Sequence, residues 1–328
     1  MTQGSTQRAI SSTSGCDAIT SPTPPIDIAS VLEQARELYG VGRLEEAESV
    51  LVNAISLRAG CSPNGASLVS SNAPPLQTDP ATATSTAQLL KLLGDVRVDA
   101  YRYGDAIESY TQAIELGGAS VSRGAYFGRA NAFEGEALKA LKANNEDNET
   151  SDALYLLAVQ DYSKCLEGNY GDNNVSSKGS LIGVQASLDR ALITFERAQA
   201  WRALRNWKEA RLDYTSAAAL FLAGKDKKRS DIATAQSAFC AFEAGDLQGS
   251  LKTLETLSRR LYSSDVRASL VATYYRVGDF SKAENLWLEL CELDDAKCGK
   301  YTDRAWLLEY RRWTPGVIQA MQDFLGMR

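Results

Sequence analysis

The side chains that most often carry out catalysis are unevenly represented in this chain, which contains no histidine. Histidine is the usual general base near neutral pH and the commonest metal ligand. Its absence excludes Ser-His-Asp and Cys-His catalytic sites and most zinc sites. Paired carboxylates remain open, but no acid pair stands apart from solvated helix faces, and there is no G-x4-G-K-S/T phosphate loop. We therefore expect a protein that is not an enzyme, without catalytic residues, metal or cofactor.

Cysteine is the other side chain of this sequence that could do chemistry, but none of its spacings matches a C-x2-C metal site. Cys291 and Cys298 form the one close pair. On a continuous helix they would lie about 10 Å apart, too far for a disulfide. A helix that ends near Asp294 and Asp295 would let the chain fold back and join them. We favour two free thiols, because nothing else in the sequence indicates an oxidising compartment. The remaining cysteines are Cys16, Cys61, Cys165 and Cys240.

The elements that must position any binding residues are best defined in the segment Leu89–Leu116. Its small residues occur where two packed helices approach closely, and its large residues fill the space beside them. The small residues are Gly94, Ala106 and Ala113, and the large ones are Leu93, Tyr103 and Tyr110. The pattern predicts a pair of antiparallel helices. Such a pair cannot bury its apolar face alone, so it predicts further pairs stacked beside it.

The same register recurs in six places along the chain. A small residue marks each second helix, and a large residue follows four positions later. The marks are Ala47, Ala106, Ala158, Ala210, Ser250 and Ala283, followed by Leu51, Tyr110, Tyr162, Tyr214, Leu254 and Trp287. Three turns read V-G-R-L, A-G-D-L and V-G-D-F, where Gly can end one helix and, in the last two, Asp can cap the next. We predict an all-α fold, an α–α superhelical solenoid of about six helix pairs with a C-terminal capping helix, over a non-repeating bundle.

This register resembles the tetratricopeptide repeat (TPR), a helix pair of about 34 residues. The resemblance covers roughly 28–293 and implies a groove, lined by the first helices, that receives peptides or partner helices. The family's chaperone-binding branch clamps a carboxylate with Lys and Asn, but Leu32 and Asp95 stand at such positions here, so we expect no clamp. Register places in the groove Arg36, Lys91, Arg129, Gln199, Arg202, Phe239, Phe242, Tyr275 and Arg276, with Tyr39, Asp95, Phe195 and Glu243 beside them.

The segment 298–328 departs from the repeat. Thr314 can cap a helix whose first position is Pro315, and an apolar stripe follows, which predicts the end cap of the solenoid. Three aromatic residues, Trp306, Tyr310 and Trp313, are candidates for a docking surface. The sequence R-R-W-T-P also resembles the R-R-W-P segment of plastid TPR proteins of plants and algae. That resemblance implies a chloroplast location, with the cytoplasm as the alternative.

Composition and segment boundaries complete the prediction. Residues 1–26 are rich in Ser, Thr and Pro and are expected to be a disordered tail or a transit remnant, without a secretory signal. The repeats span 27–297, with inserted loops near 58–85, 144–151 and 168–183. The net charge of −6 argues against nucleic acid, and no apolar run is long enough to insert into a membrane, so we expect a soluble protein.

These observations favour a non-catalytic protein–protein interaction scaffold or assembly factor. It would bind partner segments in a TPR groove, and the resemblance would place it in plastid or thylakoid complex biogenesis. The alternative is a permanent structural subunit of a large photosynthetic complex. The identity of the protein partner lies beyond the sequence.

Overall fold

The computed structural model describes residues 27–58, 80–143, 148–167, 181–293 and 295–328. In these ranges all regular secondary structure is helical, so the predicted all-α class is confirmed. The helices are α1 (Ile28–Gly40), α2 (Leu44–Arg58), α3 (Pro80–Asp99), α4 (Tyr103–Leu116), α5 (Ala119–Ala143), α6 (Asn148–Glu167), α7 (Leu181–Ala203), α8 (Trp207–Ala223), α9 (Lys227–Glu243), α10 (Leu247–Arg260), α11 (Ser264–Val277), α12 (Phe280–Leu293), α13 (Asp295–Lys300), α14 (Arg304–Glu309) and α15 (Pro315–Gly326).

The chain divides into two compact units, Met1–Glu136 and Ala137–Arg328, called here the first and second unit. In the first unit α1 packs on α2, α2 on α3 and α3 on α4. In the second unit each helix from α6 to α12 packs on the next one along the chain. Packing between consecutive helix pairs is the arrangement of a helical-repeat solenoid. The predicted fold class is therefore confirmed.

The predicted register is confirmed in the burial of the side chains. The six small residues that mark the second helices have no exposed surface, and the large residues four positions after them are at most 2% exposed. The small first-helix residues Ala35, Ala198, Ala238 and Val271 are likewise buried. Each pair thus places its smallest residues at the helix crossing, and its large neighbours fill the space beside them.

Glycine makes room for a tyrosine ring between helices of the first unit. A Cβ on Gly94 of α3 would lie 2.6 Å from Tyr110 Cε1, and one on Gly128 of α5 would lie 2.3 Å from Tyr110 Cζ. Gly135, seven residues after Gly128, gives the ring of Tyr103 the same space, since a Cβ there would lie 2.3 Å from its Cε1. The interior of the first unit therefore depends on glycines at the contact positions.

The three predicted glycine turns adopt the expected conformation. Gly42, Gly245 and Gly278 have φ values of 78°, 84° and 86°, in the left-handed region. Asp246 then accepts a hydrogen bond from the N–H of Gly249 at 2.9 Å, which caps α10 as predicted. Other turns place non-glycine residues in the same region, with φ of 58° at Tyr101, 57° at Arg205 and 64° at Lys225. No residue type at these positions signals the conformation, because the turn geometry is imposed by the packed helices on either side.

Residues at the C-terminal ends of the three predicted loops are helical. Helices begin at Pro80, Asn148 and Leu181, so residues 80–85, 148–151 and 181–183 are helical. Proline at the first position of α3 costs no hydrogen bond, which explains why the helix begins there. The remaining loop residues, the 1–26 segment, Cys16 and Cys61 lie outside the described residues.

The predicted capping helix is present as α15, but its cap differs from the expectation. Val317, Ile318, Met321 and Phe324 are buried, and α15 packs on α9, α11 and α14. Thr314 stands at the N-cap, yet its buried hydroxyl makes no hydrogen bond in the described part of the chain. The carboxylate of Glu243 on α9 instead accepts a hydrogen bond from the N–H of Gly316 at 2.6 Å.

Cys291 and Cys298 form a disulfide, so the expectation of two free thiols was wrong. Helix α12 ends at Leu293 and α13 begins at Asp295, so the two cysteines do not share one continuous helix. The reversal of the chain brings their Cα atoms to 5.0 Å, within the range of disulfides. Cys165 lies seven residues after Ala158 on the same helix, α6, and is fully buried.

Candidate functional site

Three of the predicted groove residues meet at one cavity of the second unit. Gln199 and Arg202 of α7 and Phe239 of α9 line it, and so does Tyr310. Its volume is about 920 Å³. Ligand pockets generally have volumes of about 300–1,000 Å³, so this one is large enough for a partner segment. We refer to it as the second-unit cavity.

Helical spacing explains which residues reach this cavity. Leu192, Phe195, Glu196 and Gln199 line it, and their spacing places them on one face of α7. Residues between 227 and 239 contribute a face of α9 in the same way. The remaining sides are formed by residues 261–266, which comprise the link after α10 and the first turn of α11, and by residues 310–312, called here the 310–312 strap.

Aromatic rings form the floor of the cavity. The ring of Phe195 meets Tyr214 edge to face at 5.2 Å and Phe221 at 6.1 Å between centroids. Tyr214 and Phe221 belong to α8, and both are buried behind Phe195. Burial raises the pKa of Tyr214, so its phenol is neutral over the physiological range. The floor is therefore apolar and uncharged.

The basic residues around the cavity are only partly neutralised. Arg311 pairs with Asp265 at 2.7 Å, and Arg229 pairs with Asp226 at 3.0 Å. Four other cations on the lining have no carboxylate partner within 4.0 Å among the residues that the structure describes. They are Arg202, Lys227, Lys228 and Arg312.

The acidic residues of the lining do not offset these four cations. Asp231 pairs with Arg260 at 2.6 Å, and Asp265 is the partner of Arg311. Glu196 is half-buried, accepts a hydrogen bond from Gln199 and lies within the influence of the Arg312 charge. Even with Glu196 ionised, the lining carries six cations against three acids. The cavity is therefore positive, although the chain as a whole carries a net charge of −6.

The 310–312 strap is tied to the helices of the cavity by polar contacts. The carbonyl oxygen of Arg312 accepts a hydrogen bond from Arg202 Nη1 at 2.6 Å, and the Arg312 guanidinium donates to Gln199 Oε1. Arg312 has a φ of 52°, in the left-handed region that non-glycine residues rarely adopt. Arg311 Nε donates to Asp265 at the start of α11. These contacts hold the strap along the edge of the cavity.

Two predicted recognition residues are core residues instead. Phe242 is 6% exposed and Trp313 is 1% exposed, so neither offers a surface to a partner. The indole N–H of Trp313 donates to Asp265 at 3.3 Å, and its ring stacks on Tyr301 at 5.9 Å. Phe239, also 1% exposed, packs against Trp313 and contributes only to the cavity wall. The reason is that the strap and α15 fold back onto α9 and α11.

The remaining residues predicted near the C-terminal end fall into two groups. Tyr275 is half-buried between Phe280 and Phe324, at 5.6 and 6.1 Å, so α15 covers it. Trp306 is half-buried beside Tyr301 at 5.4 Å. Arg276 is exposed on α11, and Tyr310 is 74% exposed at the cavity. Tyr310 is thus the member of the predicted aromatic trio that a partner can reach.

The predicted groove residues of the first unit are largely engaged with one another. Lys91 pairs with Asp95 at 2.6 Å, and the hydroxyl of Tyr110 donates to Asp95 at 2.7 Å. Tyr39 donates to Asp99 at 2.6 Å, and burial together with that carboxylate raises the pKa of the Tyr39 phenol. These residues line a cavity of about 300 Å³.

The structure also describes the other two groove residues of the first unit and Leu32, which stands where the chaperone-binding branch has a clamp residue. Arg36 is exposed on α1. Arg129 of α5 donates to Thr111 of α4 at 3.0 Å and lies over the rings of Tyr126 and Phe133. Leu32, at one of the clamp positions, is buried in the core.

Within the described ranges, no cluster of three or more potential ligands is placed to hold a metal ion. No helix of that part of the chain has the length and apolar character needed to cross a membrane.

The sequence missed the cations that give the cavity its charge. Lys227 and Lys228 belong to a visible run, K-D-K-K-R at 225–229, that opens α9. That run could have indicated a cationic binding surface, because basic side chains at the start of a helix remain exposed to solvent and to ligands. Arg312 had no comparable signal, since its place at the cavity depends on α15 folding back.

Comparison with known proteins gives no family for this chain. No protein-family model matches it, and no curated protein matches it. Among solved structures it is similar to BtubC (BKLC) from P. vanneervenii, with 15% identity, 84% of this chain and 94% of that chain covered, and a TM-score of 0.45. It is also similar to the Rap conjugation gene regulator of the plasmid pLS20, solved in complex with the Phr* peptide. That match has 13% identity, covers 92% of this chain and 84% of the regulator, and has a TM-score of 0.36.

Proposed function

We propose that this protein is a non-catalytic protein–protein interaction scaffold or assembly factor of the TPR type. In this proposal the second-unit cavity binds a segment of the partner protein. The observation that supports it is the cavity itself, with its volume of about 920 Å³, aromatic floor and cationic lining on the first helices α7 and α9. An apolar floor with a few convergent polar groups is the usual composition of a binding site.

The polar groups that line the cavity support binding rather than catalysis. The hydroxyl of Ser263 accepts a hydrogen bond from the N–H of Val266, so it serves as the N-cap of α11. Glu196 is engaged by Gln199, and Asp265 by Arg311 and Trp313. A nucleophile requires a neighbouring base, and these groups are committed to holding the structure.

Site-directed photo-crosslinking tests the proposal. A photoreactive phenylalanine is placed at Tyr310, which is 74% exposed at the cavity, or at Leu212, which is 64% exposed on α8 away from it. We expect Tyr310 to crosslink one defined segment of a partner protein in native cells, and Leu212 not to do so.

A pair of matched variants shows whether the crosslink depends on the cavity. Ile232→Glu places a charge on an apolar lining residue that is 45% exposed, and Leu222→Glu makes the same change at a 58% exposed site outside the lining. Crosslinking should be lost in I232E and kept in L222E. Equal crosslinking in both variants would contradict the proposal.

A parallel affinity capture without crosslinking, washed with increasing salt, distinguishes a reversible scaffold from a permanent subunit. A reversibly bound client, as proposed, elutes as its ion pairs are screened. A partner that stays bound at high salt and is present in equal amounts indicates instead a permanent subunit of a larger complex, the alternative function.

The cellular location is a separate part of the proposal. The chloroplast, and a role in plastid complex biogenesis, is proposed from the resemblance of R-R-W-T-P to the plastid segment. Arg311 and Trp313 of this sequence both contact Asp265, so the segment has a structural role in addition. Imaging the tagged full-length protein in a plant or algal cell tests the location, and fluorescence confined to the cytoplasm would contradict it.

A further inference from the structure

The unpaired cations of the second-unit cavity form two groups that are separated along α9. Lys227 and Lys228 stand in the first turn of this helix. Arg202 reaches α9 at Gln236, where its guanidinium donates to Oε1 at 3.3 Å. Lys228 and Gln236 are eight residues apart, which corresponds to about 12 Å along a helix. The cavity therefore presents positive charge at two places about 12 Å apart.

The first group is exposed and uncompensated. Both Lys227 and Lys228 are exposed, and within the described ranges neither has a carboxylate partner. The neighbouring Arg229 differs, because it pairs with Asp226 and lies over the ring of Phe221 at 5.7 Å. Two exposed lysine side chains of the lining are thus available to a ligand.

The second group donates its hydrogen bonds to neutral acceptors. Arg202 donates to the amide oxygen of Gln236 and to the carbonyl oxygen of Arg312. Arg312 donates to the amide oxygen of Gln199. These hydrogen bonds fix the positions of the two guanidinium groups, which have no ion-pair partner among the described residues, although the charge of Arg312 also acts on the half-buried Glu196. They are preorganised to receive a carboxylate, which guanidinium groups bind well.

Apolar surface lies on the same lining as these cations. Phe195, Leu192 and Ile232 line the cavity, with Phe221 and Tyr214 beneath Phe195. Burial of one large apolar side chain of a ligand here would contribute about 1.5–3 kcal/mol, whereas an exposed ion pair contributes about 0.2–1 kcal/mol. The apolar contact supplies affinity, and the two cationic groups supply selectivity.

Resting on the proposed function, we infer that the ligand of this cavity is an acidic protein segment with one leucine or aromatic anchor. The anchor lies on the Phe195 floor, and acidic residues on either side of it pair with Lys227 and Lys228 and with Arg202 and Arg312. An extended chain advances about 3.3 Å per residue, so acidic residues about four positions apart span the two groups.

Fluorescence anisotropy with the full-length protein and four labelled peptides tests this inference. The peptides are D-E-S-F-S-D-E, the anchorless D-E-S-G-S-D-E, the neutral N-Q-S-F-S-N-Q and the basic K-R-S-F-S-K-R. We expect the first to bind most tightly, with about tenfold weaker binding of the anchorless and neutral peptides and no saturable binding of the basic one. Binding of the first peptide should also weaken as salt is raised.

Matched charge reversals show whether these cations are responsible. The double variant K227E/K228E should bind the acidic anchored peptide about tenfold more weakly. Lys208 and Lys252 are exposed on α8 and α10 and do not line the cavity, so K208E/K252E makes the same change in net charge elsewhere. It should change the affinity by less than about twofold. All four positions are exposed, so circular dichroism should show the same fold.

The outcomes separate the ligand class from the proposed function. Equal affinity for the acidic and neutral anchored peptides would overturn the inference that the ligand is acidic. The crosslink at Tyr310 would still support the proposed binding function. Failure of all four peptides to bind, together with no Tyr310 crosslink, would overturn both. Displacement of the acidic peptide by a 12-nucleotide oligo(U) would overturn the inference and assign the cavity to nucleic acid. Concentration-dependent self-association that K227E/K228E abolishes would overturn it and assign the cavity to a second copy of this chain.

Discussion

The carboxylate of Glu243 on α9 accepts a hydrogen bond of 2.6 Å from the backbone N–H of Gly316, in the first turn of α15. An acid at a helix N-terminus satisfies an unpaired N–H group and interacts favourably with the helix dipole. Here the acid comes from a helix that lies 73 residues earlier in the chain. In consequence α15 is held against α9 and α11, the first helices of the fifth and sixth pairs. Its position there explains why residues such as Tyr275 and Phe242 are covered.

Replacing Glu243 should release the start of α15. E243Q keeps the size of the side chain but removes the charge, and should lower the free energy of unfolding by about 1 kcal/mol. Hydrogen exchange at the amides of Gly316 and Val317 should become faster. The matched control is E309Q, at an exposed acid on α14. Unchanged exchange at these two amides in E243Q would show that the contact does not hold the helix.

Gly128→Ala should destabilise the first unit. The new Cβ would lie 2.3 Å from Tyr110 Cζ, and the ring is already confined on its other side by Gly94. Overpacking of this kind costs about 1–3 kcal/mol. Urea unfolding followed by circular dichroism measures the effect.

The control for this change is Gly104→Ala, because a Cβ at Gly104 of α4 would meet no atom within 4 Å. Alanine favours helices, so G104A should leave stability unchanged or raise it by up to about 1 kcal/mol. Equal effects of the two substitutions would show that the fit of the Tyr110 ring is unimportant.

Glu48 should make the first unit more stable at neutral pH than in acid. Burial alone would raise the pKa of Glu48, but hydrogen bonds from Arg102 and Arg97 outweigh it and lower the pKa below its ordinary value of 4.5. A carboxyl whose pKa is lowered by folding stabilises the folded state above its ordinary pKa. That contribution is lost as the pH falls through the pKa of the folded state.

The variant E48Q should therefore be about 1–2 kcal/mol less stable than the parent at pH 7, and the difference should shrink as the pH falls below about 4.5. Chemical unfolding at a series of pH values measures this. E45Q changes an exposed acid on the same helix and should show no such dependence. A difference between E48Q and the parent that stays constant with pH would contradict the role of the charge.

Reduction of the Cys291–Cys298 disulfide should weaken the region after α12. The bond closes a short loop, since the two residues are 7 positions apart. Loop-closure entropy predicts a loss of about 2 kcal/mol when it is broken. Cys298 packs in the same cluster as Tyr301 and Trp313, so the amides of α13 should exchange faster in dithiothreitol. The variant C291S/C298S should be as unstable as the reduced parent and insensitive to dithiothreitol. Equal sensitivity of both proteins would point to a cause other than this bond.

The amino-acid sequence by itself determined the helix pairs. Ala106 and Tyr110, or Ala210 and Tyr214, are four residues apart on one helix, so their packing follows from helical geometry within a short segment. The turns at Gly42, Gly245 and Gly278 were predictable for the same reason, because a single residue type supplies the needed conformation. Such features are local, and local patterns are what a sequence shows directly.

Only the tertiary structure decided the site. The sequence placed Gln199 and Arg202 on one face of a helix, but their contacts with Arg312 join residues more than 100 positions apart. Whether Trp313 is exposed or buried, and whether Cys291 meets Cys298, depended on where the chain reverses and which surface α15 covers. These outcomes follow from the packing of distant segments, which the order of residues along one helix does not encode.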